Sequence, residues 1–418
     1  MRGLYTIGIW FYCFGVHVAA ACGHRNARLM LHGWHHWREE LAKLDGRPVV
    51  WFHAASLGEF EQARPVLESY RERHPDHQVL LTFFSPSGYE VRKNYAKADA
   101  VCYLPPDLPL TVHRFIRQTN NLQAAFFVKY DFWFNYLGAL RKSHVPTYIF
   151  SAIFRPEQYF FRWYGSWFRR QLKECYTHLF VQNEESLQLL RTHGIEQCTI
   201  TGDTRFDRVH QIAVTAESDD TVDRWLDGHV GSTIVCGSTW PPDEALISEL
   251  RKQNTETRII LAPHVINEEH LKQIEHLFPD STRYSLLTSG NSHAGTANTL
   301  IIDNIGMLSS LYQYAHVAYI GGGFGRGIHN TLEAITFGKP VVFGPNYHKF
   351  KEACDIIALG GGYSYSNYEQ LQAFLDNLFG DSDRYEKASQ VCKKYLHDNI
   401  GSTQLILSVV ERCIANTQ

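Results

Sequence analysis

The segment HAASLGEF, residues 53–60, leaves the apolar run Val49-Val50-Trp51-Phe52 through Ser56, Leu57 and Gly58 and sets Glu59 where a helix-like stretch is only beginning. A carboxylate in the first turn of a helix faces the positive end of the helix dipole, which is one sufficient reason for an acid there. A second stretch, YIGGGFGRGIHNTLEAITFGKPVVFGP (319–345), brings glycines at 321, 322, 323, 325 and 327 straight off an apolar run. Glycine there serves either a tight strand-to-helix turn or a close approach of backbone to a ligand. A helix starting near Asn330 would aim unpaired N–H groups at a phosphate, and Glu333, one turn in, would accept from sugar hydroxyls of the same ligand. Neither GxxxxGK[ST] nor GxGxxG with a well-placed acid occurs, so a P-loop or ordinary dinucleotide site is unsupported.

Short apolar runs alternating with amphipathic stretches must position these residues. The runs at 49–55, 78–84, 100–105, 122–128, 146–152, 178–182 and 198–202 read as buried strands, with helices such as 62–73, 110–117 and 183–193 between them. That alternation predicts a parallel sheet covered on both faces. The polar, acidic stretch 207–230 interrupts it, and strands resume at 232–238, 258–264, 299–304, 316–323 and 340–345 before a helix-rich tail from about 368. The expectation is an α/β chain of two Rossmann-like doubly wound domains, 25–210 and 211–418, with a ligand cleft between them at the carboxyl ends of both sheets.

Composition sets limits. The chain has 418 residues, 44% hydrophobic and 20% charged, with a formal net charge of -3. That balance gives no electrostatic footprint for nucleic acid, so none is expected as a partner. Nine scattered cysteines without a CxxC pair indicate neither a disulfide framework nor a zinc site. From Leu4 to Cys22 there is no Asp, Glu, Lys or Arg, and residues 1–24 read as a membrane anchor. Ala19-Ala20-Ala21 before Cys22 also resembles a signal cleavage site. Arg25, Arg28 and Arg38 after the segment, against Arg2 before it, place the body on the cytoplasmic side. Trp34 and Trp37 suit a membrane interface, with 29–41 lying along it, or packing against the domain.

The stretch GxHNxLEaxxFGKPVxFGP, taken with H-a-x-S-x-G-E near the N-terminus and T-G-D-T-R-F-D at 201–207, resembles the Kdo (3-deoxy-D-manno-octulosonic acid) transferase family, across essentially the whole chain. The resemblance implies a GT-B glycosyltransferase that moves Kdo from CMP-Kdo, a nucleotide-sugar donor, to a lipid A precursor at the cytoplasmic face of the inner membrane. It implies that Glu59 is the catalytic base. A carboxylate held near an acceptor hydroxyl can take the proton as the oxygen attacks. Ser56 and Gly58 then form a turn slim enough for a sugar to approach.

Further positions map onto the family's motifs. Ser238 and Thr239, with Glu244 behind them, resemble an S-T loop near the nucleotide, though Ser or Thr there also reads as a helix N-cap. Pro263 and His264 stand where the family has a Pro-Arg-His run. Gly202, Arg205 and Asp207 match G-N-x-K-F-D, where a cation would neutralise phosphate or the Kdo carboxylate; Arg205 also reads as an ion pair with Asp203 or Asp207. Gly322, Gly323, His329, Asn330 and Glu333 carry the donor loop.

Three segments depart from the pattern. E-T-E-x-W-P-N appears as 129–135, with Lys129 for one acid and Asp131 for the other; D-T-x-G-E-L reads 303–308, with Met307 for its Glu; and Thr331 replaces a proline. The expected reaction is an inverting transfer without metal or other cofactor. The rivals are a GT-B enzyme of another donor, such as a UDP-sugar transferase or epimerase, and a membrane-tethered binding protein on a retired scaffold.

Overall fold

The structure, a computed structural model, describes residues 1–289 and 297–415. The chain divides into two units, residues 1–208 with 400–418, and residues 209–399.

In the first unit seven parallel strands, β1 (Val49–Ala54), β2 (Gln78–Phe83), β3 (Ala100–Tyr103), β4 (Leu122–Val128), β5 (Thr147–Ala152), β6 (His178–Val181) and β7 (Cys198–Ile200), lie in the order β3-β2-β1-β4-β5-β6-β7. All seven coincide with apolar runs of the sequence. Side chains alternate between faces along each strand. Val49 and Trp51 therefore join one core layer with Phe115, Phe127 and Leu137, while Val50 and Phe52 join the other with Phe60, Leu67 and Phe126.

The second layer contains Ile406, Leu407 and Val410 of the last helix, Ser402–Ala415. The sequence reading kept this helix with the second domain, as part of 211–418. It returns to the first unit because a parallel sheet needs apolar cover on both faces, and helix Leu57–Arg73 covers only part of this one. Asp207 fastens the return by accepting from the Gly401 and Thr403 backbone N–H groups and the Thr403 hydroxyl, each at 2.6 Å. The expected linker at 207–230 is largely helical, over Arg205–Val214 and Asp220–Leu226.

The N-terminal helix Arg2–Ala21 is long and apolar enough to cross a membrane. One side of it packs on the first unit: Cys13, Val16 and Ala20 are buried with Met30, Trp34 and Tyr103. The Tyr5 hydroxyl donates to Asp107 Oδ2 (2.6 Å) and Arg2 Nε to Asn135 Oδ1 (2.9 Å). Its other side exposes Leu4, Ile7, Phe11, Phe14 and Val18, a stripe at helical spacing. Trp34 and Trp37 of helix Arg25–Leu41 are buried, so they pack against the unit.

In the second unit the described residues form another seven-stranded parallel sheet from β8 (Thr233–Thr239), β9 (Arg258–Pro263), β10 (Ser281–Arg283), β11 (Thr299–Ile301), β12 (Val317–Ile320), β13 (Val341–Phe343) and β14 (Gly362–Ser364). Their order is β10-β11-β9-β8-β12-β13-β14. Strands β10 and β14 do not coincide with any of the expected strands, because Ser281–Arg283 and Gly362–Ser364 carry no apolar run. Each sheet has an interior switch point, between β1 and β4 and between β8 and β12. Ligands bind beyond the strand ends at such points in open α/β sheets.

Candidate functional site

The first unit's switch point gathers Ser56, Gly58, Glu59 and Asp131. Ser56 stands at the N-cap of helix Leu57–Arg73 in extended conformation, and its hydroxyl donates to Glu59 Oε2 while accepting no bond from the helix N–H groups. A Cβ on Gly58 would meet only Ser56 Oγ, at 3.7 Å, so the space beside Glu59 is open within this unit.

Beyond β4 the chain turns through Lys129, whose φ of +62° is a left-handed conformation that non-glycine residues adopt at a cost of about 1–3 kcal/mol. The turn sends Asp131 inward. Its side chain is nearly buried, Oδ2 has no hydrogen-bond partner, and that oxygen lies 3.8 Å from His53 Nε2. Burial, helped by the nearby charge of Glu59, pushes the Asp131 carboxyl well above the usual carboxylate range, against the pull of the Ala55 N–H.

His53 is fully buried, and burial holds its imidazole neutral, with a pKa of about 3. Trp133 Nε1 donates to His53 Nε2 (3.1 Å), so the ring proton sits on Nδ1 and points at Thr82 Oγ1 (2.8 Å), which also accepts from Trp51 Nε1 (2.8 Å). His53 and Trp133 thus frame Asp131 without being foreseen as site residues. The His of the H-a-x-S-x-G-E motif was the available signal.

Arg205, the first residue of helix Arg205–Val214, is bound to Asp203 through its backbone N–H (2.9 Å), Nε (2.9 Å) and a terminal nitrogen (2.9 Å). Asp203 also accepts from Gln62 Nε2 (3.0 Å). The ion-pair reading of Arg205 holds, and the pair braces the helix that presents Glu59.

The second unit's switch point joins the other sequence candidates. Ser238, one residue before the end of β8, has φ +53°, where the β8–β9 register shifts between Gly237 and Thr239. Thr239 and Glu244 are both buried, and the Thr239 hydroxyl donates to Glu244 Oε1 (3.0 Å) while Glu244 Oε2 meets His270 Nε2 (2.9 Å). The Thr239 and Glu244 side chains are therefore internal and bond to one another and to His270. Pro263 closes β9, and the His264 N–H donates to the Thr239 carbonyl (2.9 Å).

Three rings line up here. Trp240 stacks on His264 (centroids 4.7 Å apart, planes at 26°) and His264 on His329 (4.5 Å, 28°), while Trp240 Nε1 donates to His329 Nε2 (3.2 Å). Burial and the neighbouring His264 hold His329 at a pKa of about 4, hence neutral. Trp240 escaped the sequence reading because only folding places it beside two histidines 24 and 89 positions away.

The glycine loop needs correction. A Cβ at Gly321 would lie 2.3 Å from the Ser238 carbonyl and one at Gly323 2.5 Å from Gly344 N, so these glycines allow strand ends to pack closely. Gly322, at φ +91°, takes a conformation open to glycine, and its N–H donates to Asp243 Oδ2 (2.9 Å). Asp243 also accepts from Trp240 N–H (2.9 Å) and the Tyr319 hydroxyl (2.9 Å), tying β8, β12 and the glycine loop together.

The helix expected to begin near Asn330 is only Leu332–Ile335, too short to build the dipole invoked for a phosphate. Asn330 Nδ2 donates to Glu333 Oε1 (2.9 Å) and Ser309 Oγ to Glu333 Oε2 (2.7 Å). These bonds fix the half-buried Glu333 carboxylate.

The family model described as 3-Deoxy-D-manno-octulosonic-acid transferase (kdotransferase) matches residues 35–208, nearly all of the first unit after its N-terminal helix. The 3-deoxy-D-manno-octulosonic acid transferase of Aquifex aeolicus is 25% identical over 349 residues, covering 82% of this chain and 88% of that protein. The protein of the same name from Bordetella pertussis is 26% identical over 383 residues, covering 87% and 86%. Among solved structures, UDP-GlcNAc 2-epimerase from Neisseria meningitidis bound to UDP-GlcNAc aligns with a TM-score of 0.60 at 16% identity, over 87% of this chain and 100% of that one. That last likeness is one of fold, the GT-B pairing of two Rossmann-like units.

Proposed function

Because the chain belongs to the 3-deoxy-D-manno-octulosonic acid transferase family, we propose that it moves Kdo from CMP-Kdo to a lipid A precursor with inversion at the sugar carbon. The observation that carries the mechanism is Glu59, fixed by Ser56 at the end of β1 beside open space and a buried acid. Ser56 occupies Oε2, leaving Oε1 for the acceptor hydroxyl. Glu59 takes the hydroxyl proton as the oxygen bonds to C2 of Kdo, and the bond from C2 to the phosphate oxygen breaks, releasing CMP with the electron pair.

Asp131 supports this role by holding its proton more tightly than an ordinary carboxyl does. A second carboxylate so near would raise the cost of the charge on Glu59; a neutral acid does not, and it can donate a hydrogen bond to substrate. In the second unit the Trp240–His264–His329 stack is a surface for the cytosine, and Glu333 is held ready for ribose hydroxyls. The reaction needs no metal in this reading, and unchanged turnover in chelator is the expected result.

The outer stripe of helix Arg2–Ala21 suits a helix lying in the membrane interface, since its inner side is bonded to the body. In this reading the transfer takes place at the cytoplasmic face of the inner membrane, next to a lipid acceptor.

Detergent-purified protein incubated with CMP-Kdo and a tetraacylated disaccharide lipid A precursor, beside Glu59→Gln, tests the proposal. Product from the wild type and a loss of about a hundredfold or more in the variant are expected. Equal product from both would remove Glu59 as the base, and no product from a folded wild type that binds CMP would refute the assigned donor and acceptor pair.

A further inference from the structure

The first unit holds a cavity that the transfer chemistry does not use. Helices Phe134–Lys142 and Ser166–Cys175 pack side by side, and with Arg2 they enclose about 460 Å³. Its charged walls are Arg2, Arg141, Lys142, Arg170 and Glu174, and Trp167 is its aromatic wall. Four cations against one carboxylate leave a net charge of +3.

Glu174 is already paired with Arg141, and Arg2 is held by Asn135. Lys142 and Arg170 are exposed and make no hydrogen bond or ion pair with any described residue. A Cβ on Gly138 would come within 3.7 Å of the Arg2 guanidinium, so a larger residue there would intrude on the cavity wall. Like charges gathered at one opening repel one another until an anion joins them, and guanidinium groups match phosphate oxygens in geometry.

The surroundings say where that phosphate comes from. Arg2 begins the helix whose outer side is the exposed stripe of Leu4, Ile7, Phe11 and Phe14, so the cavity opens at the end of an apolar surface. The loop leading into helix Ser166–Cys175 exposes Trp163 at 92%, a residue type that settles at the headgroup level of bilayers. Cations beside an apolar stripe and an aromatic anchor are the arrangement of a surface that grips a lipid by both its chain and its head.

We propose that this cavity binds the headgroup phosphate of an anionic membrane phospholipid and so holds the first unit at a fixed place on the bilayer. The proposal is independent of which sugar is transferred.

The test uses the full chain and sedimentation with phosphatidylcholine vesicles, with or without phosphatidylglycerol, at constant ionic strength. The wild type is expected to prefer the phosphatidylglycerol vesicles. Lys142→Ala/Arg170→Ala should weaken binding to them about thirtyfold, the scale of two cations near an anionic surface, while binding to phosphatidylcholine alone and the denaturation midpoint stay as they are. Lys252→Ala/Lys387→Ala removes the same charge from the second unit and should keep most of the preference. A cavity variant that retains the preference, a control that loses as much, or a wild type without preference overturns the proposal. Displacement from the vesicles by inorganic phosphate at matched ionic strength also overturns it, because the cavity would then take the free anion.

Discussion

In the proposed transfer, Glu59 and Asp131 divide one task because their surroundings differ. Glu59 is tethered to Ser56 beside open space, whereas Asp131 is enclosed with the neutral His53 and one carboxyl oxygen left unbonded. Since the folded Asp131 binds its proton more tightly than the unfolded chain does, its contribution to stability is fully present below the ordinary carboxylate value near 4 and is lost as pH rises through the elevated folded value. Asp131→Asn keeps the neutral form at every pH. Urea denaturation from acid to neutral pH should therefore show the wild type losing stability relative to this variant as pH rises; parallel curves would mean that Asp131 is ionised in the folded protein. At the other switch point, Trp240→Ala should weaken CMP binding by about 1–3 kcal/mol, the range for one base stacked on an aromatic ring. Calorimetry that finds unchanged affinity would place the base elsewhere.

At the scale of elements, the returning helix Ser402–Ala415 depends on Asp207, whose carboxylate satisfies two backbone N–H groups and one hydroxyl at its start. Asp207→Ala leaves those donors without their partner and should cost about 1–3 kcal/mol, read as a lower denaturation midpoint. Leu407→Ala empties a fully buried position in the same core layer and should cost about 2–5 kcal/mol. A loss under 1 kcal/mol from both changes would show that this helix does not cover the first sheet. The glycine loop makes a different demand. Gly322→Ala would place a Cβ 2.6 Å from the Gly327 carbonyl at a left-handed φ, so the loop must shift and release its bond to Asp243. Weakened CMP binding with an intact circular dichroism spectrum is the expected signature, and unchanged binding would detach the loop from the nucleotide.

For the whole molecule, the proposed membrane contact is the apolar stripe of the first helix. Phe11→Asp/Phe14→Asp alters two side chains that are 73% and 63% exposed, so the fold should be indifferent. Removing two large apolar groups from a membrane surface forfeits about 3–6 kcal/mol of transfer free energy. The variant should move from the membrane to the soluble fraction of lysed cells; continued sedimentation with membranes would show that the stripe is not the contact. Much of this was present in the chain's own order. Continuous apolar runs specify strands buried on both faces, their alternation with amphipathic stretches specifies parallel pairing, and Ser56, Gly58, Glu59 and the 319–345 stretch announce both switch points because local turn chemistry needs those residue types. Only the tertiary structure decided that Asp131 is buried beside His53, that Thr239 and Glu244 face inward, that Trp240 meets His264 and His329, and that the last helix belongs to the first sheet. Each of those depends on burial and on contacts between residues distant in sequence, and neither quantity is carried by composition, period or local spacing.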